Sequence, residues 1–235
     1  MKLGVNIDHV ATLRNARGGV EPNVLEAGFI CDKLNVAEIT IHLREDRRHI
    51  KDEDVYALKK QAKTPINLEM ATTEEIQKIA LDVVPHSVCL VPEKRQEVTT
   101  EGGLDIAGQK EKLRKFIKPL QEKGIIVSLF IDPDEAQVKA SAEIGADYVE
   151  LHTGSFSEAK GEEVEVEFEK LKNAAELAQT LGLKVNAGHG LNYQNVHYMH
   201  KIKGIDELNI GHSIISRAVF VGLETAIAEM KSLIE

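Results

Sequence analysis

In Ile39–Ile50, ITIHLREDRRHI, apolar Ile39, Ile41 and Leu43 alternate with Thr40 and His42, the period-two pattern of a β-strand. The next six residues, Arg44, Glu45, Asp46, Arg47, Arg48 and His49, are all ionisable. A strand therefore runs directly into a dense polar loop. Alone, such a run reads as a solvated surface. Similar strand ends recur, however, at NIDH (Asn6–His9), NLEM (Asn67–Met70), ELHTG (Glu150–Gly154), NAGHG (Asn186–Gly190) and NIGHS (Asn209–Ser213).

Outward from that stretch, apolar runs predict strands over 3–8, 37–43, 65–70, 87–91, 125–131, 147–151, 183–186 and 207–210. Between them the sequence predicts a loop HVATLRNARGG after the first strand and a helix from Pro22 to about Lys33. Further helices are expected over 52–61 with Asp52 as N-cap, from Thr72 or Thr73 to about Val83, over 109–122, from Asp132-Pro133 to Gly145, over 164–181 after a Gly/Ser loop, and over 213–233. Eight strand–helix alternations without a compositional break point to one domain over residues 1–235, an α/β fold of the (β/α)₈ TIM-barrel type. A doubly wound open sheet is the competing architecture; its Gly-rich fingerprint is missing after the first strand.

The composition bounds the partners. With 29 basic and 38 acidic residues the net charge is −9, and Trp is absent among 4% aromatics, so neither nucleic acid nor an anionic membrane is expected as partner. Cys31 and Cys89 are too few for a disulfide framework and sit in apolar surroundings. No window approaches the roughly 18 apolar residues of a membrane span, and the N-terminus has no signal pattern; a soluble cytoplasmic protein is expected.

If the barrel forms, every strand end faces one cavity. Asn6, Asp8, His9, His42, Arg44, His49, Glu69, Glu150, His152, His189 and His212 then converge. A metal centre is one use of such residues, but the short ligand spacings are missing and arginines are interleaved. Metal-free general acid–base chemistry is the favoured reading, with no cofactor. Gly188, Gly190 and Gly211, with Ser213 opening the final helix, resemble a phosphate cradle, and Arg44, Arg17 and His49 can hold a second anion. Two anionic groups suggest condensation of two small phosphorylated substrates. The segment 92–108, with Glu93, Thr99 and the Gly102-Gly103 pair, is expected to close over them as a lid.

The motifs NIDHVATLRNARGG, HLREDRRHI, NLEMA, VPEKRQEVTTEGGLD, SLFIDPD, ELHTG, LKVNAGHGL and ELNIGHSIISRAV resemble the pyridoxine 5′-phosphate synthase family nearly end to end. The resemblance implies a (β/α)₈ barrel with extra helices, a homo-octamer and no metal or organic cofactor. It implies condensation of 3-amino-2-oxopropyl phosphate with 1-deoxy-D-xylulose 5-phosphate to pyridoxine 5′-phosphate, phosphate and water. Carried over by motif, His42 and Glu69 accept protons, His189 donates one and Glu150 stabilises the transition state. Asn6, Arg17, Gly190, Gly211 and His212 meet the amino-ketone phosphate, and Asp8, His9, Arg44, His49 and Thr99 meet the pentulose phosphate. Nothing is carried over from 155–169. The residues by themselves leave two alternatives open: a phosphosugar aldolase or isomerase on the same fold, and a non-catalytic phosphometabolite-binding module. A Schiff-base aldolase needs a lysine at a strand end, whereas Lys184 begins its strand.

Overall fold

The computed structural model describes residues 1–93 and 102–235. Eight parallel strands close a barrel in chain order: β1 (Lys2–Asn6), β2 (Glu38–His42), β3 (Ile66–Met70), β4 (Ser87–Leu90), β5 (Ile126–Ile131), β6 (Tyr148–His152), β7 (Lys184–Gly188) and β8 (Ile205–Ile210). The seam joins β8 to β1, with Leu3 opposite Leu208. Among the described residues ten α-helices surround it: α1 (Asp8–Arg17), α2 (Val24–Leu34), α3 (Asp52–Gln61), α4 (Glu74–Val83), α5 (Lys110–Glu122), α6 (Glu135–Ile144), α7 (Gly154–Glu158), α8 (Glu163–Thr180), α9 (His212–Val221) and α10 (Leu223–Ile234).

Strand parity decides what each face carries, because successive side chains point to opposite sides. Ile39, Ile41, Leu68, Val88, Leu90, Leu129, Val149, Leu151 and Leu208 are fully buried outside the strands, against the helices. The alternate residues, Thr40, His42, Asn67, Ser87, Ser128, Glu150 and Asn209, are buried inside the barrel. The apolar core is thus a shell between sheet and helices, and the barrel axis is polar. Barrels usually fill that interior with branched aliphatics. Here hydrogen-bonding groups predominate, beside a small buried cluster of Cys89, Val91 and Phe130.

Local signals place the helices. The Asp134 carboxylate accepts the Ala136 and Gln137 N–H groups to start α6, and Gly145 ends it with φ 82°. At α3 the N-cap is Lys51, whose N–H donates to the Asp54 carboxylate at 2.8 Å; Asp52 is the first helical residue. The stretch HVATLRNARGG is not a loop. It forms α1, burying Asp8, Ala11 and Arg14 on one face, and Arg14 makes a paired contact with Asp54 at 2.6 and 2.9 Å that binds α1 to α3. A buried guanidinium hides this helix from a pattern search based on apolar residues. The expected final helix is two helices divided at Gly222, whose φ of 83° takes the chain out of helical conformation. The Gly/Ser loop after β6 contains the short α7.

Candidate active site

The carboxyl ends of the strands open into a cavity of about 580 Å³. His42, Glu69, Glu150 and His189 all line it, as do Asn6, Asp8, His9, Arg44, His49, Gly190, Gly211 and His212. Arg17, at the exposed end of α1, is outside the lining. Thr99 and the centre of the expected lid lie outside the described residues. The ends of that segment are placed. Gly103 N–H donates to Asp132 Oδ1 at 3.0 Å and Leu104 N–H to the Phe130 carbonyl at 2.7 Å, so from Gly103 the end of the expected lid is anchored at the close of β5.

His42 is buried at the end of β2 between two carboxyls. Its Nε2 is 2.8 Å from Glu93 Oε1 and its Nδ1 is 3.8 Å from Glu69 Oε2. Burial alone would raise the Glu93 carboxyl, but hydrogen bonds from His42 and the Glu45 N–H hold it below its ordinary range. An ionised carboxylate only accepts, so Nε2 carries the hydrogen and Nδ1 is turned to Glu69. Burial, with the charges of Glu150 and Asp8, pushes Glu69 well above the usual carboxyl range. Glu93 is a site residue whose contact with His42 the sequence does not disclose.

Glu150 stands on β6 with no room to spare. A Cβ on Gly188 would come within 2.5 Å of its Oε1, so the glycine of β7 makes space for the carboxyl. Burial raises Glu150 to about 7, against the opposing hydrogen bonds from Asn209 Nδ2 at 2.7 Å and the Cys89 thiol at 3.7 Å. The Asn209 bond ends a directed run across the barrel. Asn67 Nδ2 donates to Thr40 Oγ1 (3.4 Å), and Thr40 Oγ1 to Asn209 Oδ1 (2.8 Å). Every donor points towards Glu150, and such chains strengthen their last bond.

His189 follows β7 with φ 81°, a left-handed conformation uncommon for a residue bearing a Cβ. The buried Thr153 hydroxyl holds it there, donating to the Gly188 and His189 carbonyls at 2.7 and 2.5 Å. Burial, reinforced by nearby His152, lowers His189 to about 4. Gly190, Gly211 and His212 flank it, the last opening α9, whose N-terminal N–H groups favour an anion.

The opposite end of the cavity is basic. Arg44 is buried; its Nε is 3.5 Å from Asp46 Oδ1 but has no hydrogen-bond partner, an unmet donor beside the cavity. Thr12 Oγ1 ties His49 Nδ1 (2.7 Å) to His9 Nδ1 (3.2 Å), and His9 stacks edge-on against His49 and His212 at 5.6 and 5.3 Å. Burial lowers His9, and burial with neighbouring cations lowers His49 to about 4. An arriving phosphate dianion would favour their charged forms.

Asp8, His42 and Glu69 each offer a ligand atom within 4.8 Å of the others, enough to hold a metal ion. Both Asp8 oxygens already accept hydrogen bonds, from the His42 N–H (2.8 Å) and Asn6 Nδ2 (2.9 Å). That engagement favours use of the trio in proton exchange. Lys184 begins β7 at the opposite end of the barrel, with its Nζ over the Tyr148 ring, so it offers the cavity no amine.

The same architecture occurs in 3-hexulose-6-phosphate synthase (TM-score 0.67, 16% identity, all of both chains covered) and in phosphoribosyl anthranilate isomerase from Thermus thermophilus (TM-score 0.61, 12% identity, 98% of this chain and all of the other). These likenesses concern the fold. In sequence, the pyridoxine 5′-phosphate synthase of a Sulfurihydrogenibium species is 57% identical, covering 100% of this chain and 98% of its own. That of Geobacter sulfurreducens is 56% identical with the same coverage. The model of the family described as pyridoxal phosphate biosynthesis protein PdxJ matches residues 3–235, and the chain belongs to that family.

Proposed function

We propose that this protein condenses 3-amino-2-oxopropyl phosphate with 1-deoxy-D-xylulose 5-phosphate, closing the ring of pyridoxine 5′-phosphate with release of phosphate and water. The observation that carries this reading is one cavity holding two carboxyls and two imidazoles between two anion-receptive ends, in a chain 57% identical to a pyridoxine 5′-phosphate synthase. Imine formation, loss of water, loss of phosphate and aldol-type closure each move protons on and off carbon and oxygen. Several acids and bases must therefore act in one place.

The geometry supports the roles that the resemblance implies. Glu69, raised well above the usual carboxyl range by burial, serves as a proton acceptor, and His42 accepts through Nδ1 while Glu93 fixes its ring. His189 donates to a departing oxygen, and Glu150 stabilises positive charge developing on the imine. Asn6, Gly190, Gly211 and His212 hold the amino-ketone phosphate; Asp8, His9, Arg44 and His49 hold the pentulose phosphate. The test is to mix the two substrates with the protein and look for pyridoxine 5′-phosphate by absorbance and mass. No product from active, folded protein would overturn the assignment. Activity is expected to survive exhaustive chelation; loss on chelation, restored by one divalent ion, would instead give Asp8, His42 and Glu69 a metal.

No described helix is long and apolar enough to cross a membrane. We place the protein in the cytoplasm as a homo-octamer. Val219 and Phe220, 68% and 85% exposed side by side on α9, support assembly as the start of a contiguous apolar contact surface. Light scattering checks the mass.

A further inference from the structure

β6 ends in a histidine that none of these roles uses. His152 is buried two residues beyond Glu150, and its Nδ1 lies 3.1 Å from Asp132 Oδ1, just after β5. The Asp132 carboxylate accepts, so Nδ1 carries the hydrogen and the ring's free nitrogen is Nε2. Nε2 is buried without a hydrogen-bond partner. Buried polar atoms left in that state are costly and call for a reason. Room has been kept for it: a Cβ on Gly154 would come within 2.4 Å of Nε2.

The surroundings supply the reason. The His152 ring stands edge-on to His189, with ring centres 5.1 Å apart and planes at 64°. Phe130, also 5.1 Å away, shields it on another side. Among the described residues the titratable groups set against His152 are Asp132, from the loop after β5, and His189, from the loop after β7. The His152 bond first, and the Gly103 N–H after it, hold the Asp132 carboxyl below its ordinary range, so it is ionised at neutral pH. The order Asp132, His152, His189 is that of a carboxylate orienting one imidazole that faces a second.

We propose that His152, oriented by Asp132, is a positioning residue that supplies His189 with the proton it delivers to substrate. The inference rests on the reading of His189 as proton donor. A half-buried His189 lowered to about 4 carries no positive charge at neutral pH. Nε2, free in the structure, first takes a proton from solvent; that N–H bond then breaks as one forms on His189, and His189 passes a proton to the departing oxygen, which leaves as water. His152 regains its proton from solvent, and no electrons change hands. A small ring rotation or one bridging water spans the interval between the imidazoles.

The test is the pH dependence of kcat in variants, using the two substrates named above. His152→Asn keeps an N–H for Asp132 and deletes Nε2. It should fold as judged by circular dichroism, hold KM within about threefold, and lower kcat at about pH 8 by roughly tenfold or more. Its basic limb should move to lower pH, since His189 must then be charged directly from solvent. Asp132→Asn should move the limb the same way by less. In a His189→Gln background, adding His152→Asn should cost no further factor, because groups acting as a unit are not additive. An unmoved basic limb in both single variants, or a full multiplicative loss in the double variant, overturns the proposal while leaving His189 its role. Wild-type kcat in His189→Gln overturns the donor reading and this inference with it. Should His152→Asn fail to fold, the Asp132→Asn profile decides.

Discussion

Glu69 and Glu150 are two carboxyls in one low-dielectric cavity, each raised first by burial and, for Glu69, by the charge of the other. Glu69 must be ionised to take a proton, so activity should fall as pH drops through its raised pKa. Glu69→Gln keeps the shape and deletes the base; kcat should fall by roughly 10²-fold or more with the thermal midpoint little changed. His42→Asn should lose a similar factor, and wild-type turnover in either variant removes that residue from the mechanism. Glu150→Gln tests the coupling of the two. By removing a like charge it should shift the acid limb of the surviving activity to lower pH, and a limb that stays in place would mean the carboxyls titrate independently.

The element scale shows what the sequence could and could not disclose. All eight strands were legible because β-branched runs alternate with polar residues that end them, and strand ends told which side chains share the cavity. α1 was not, because beside Val10 and Ala11 its buried residues are Asp8 and Arg14, the latter paired with Asp54, 40 residues away. Glu93 on His42 and Asp132 on His152 were missed for the same reason: each contact joins different strand ends, 51 and 20 residues apart, and no local pattern encodes it. The break at Gly222 went unseen because apolar residues continue on both sides. Close fit between strands yields a prediction. Gly188→Ala places a methyl against Glu150 Oε1 and, at 2.9 Å, the Asn209 carbonyl. It should cost about 1–3 kcal/mol in denaturant unfolding and lower kcat with it, whereas a neutral substitution would show that β7 can yield.

For the whole molecule the consequence of a polar axis is a stability that falls as pH rises towards about 8. Glu207, buried inside β8 with Oε1 unpartnered, is raised to about 8 by burial and by Glu38 and Glu150. A carboxyl raised above its unfolded value stabilises the fold fully below that unfolded value, and the contribution disappears as pH climbs through about 8. Glu207→Gln should therefore unfold at a higher temperature than wild type near pH 9, by about 5 °C for ~2 kcal/mol, with no such gain near pH 5. An equal shift at both pH values would assign the effect to packing. The seam between β8 and β1 has a consequence of another kind, one of timing. β1 begins at Lys2 and its partner β8 at Ile205, and α10 fastens the join by Lys231 Nζ donating to the Leu34 carbonyl at 3.0 Å. At roughly 5–20 residues per second a ribosome needs about ten to forty seconds between the two strands. Throughout that interval β1 carries an open edge, available to any passing strand. The pace of decoding between the two strands, more than the strength of the finished barrel, then sets how long each newborn chain keeps that edge open.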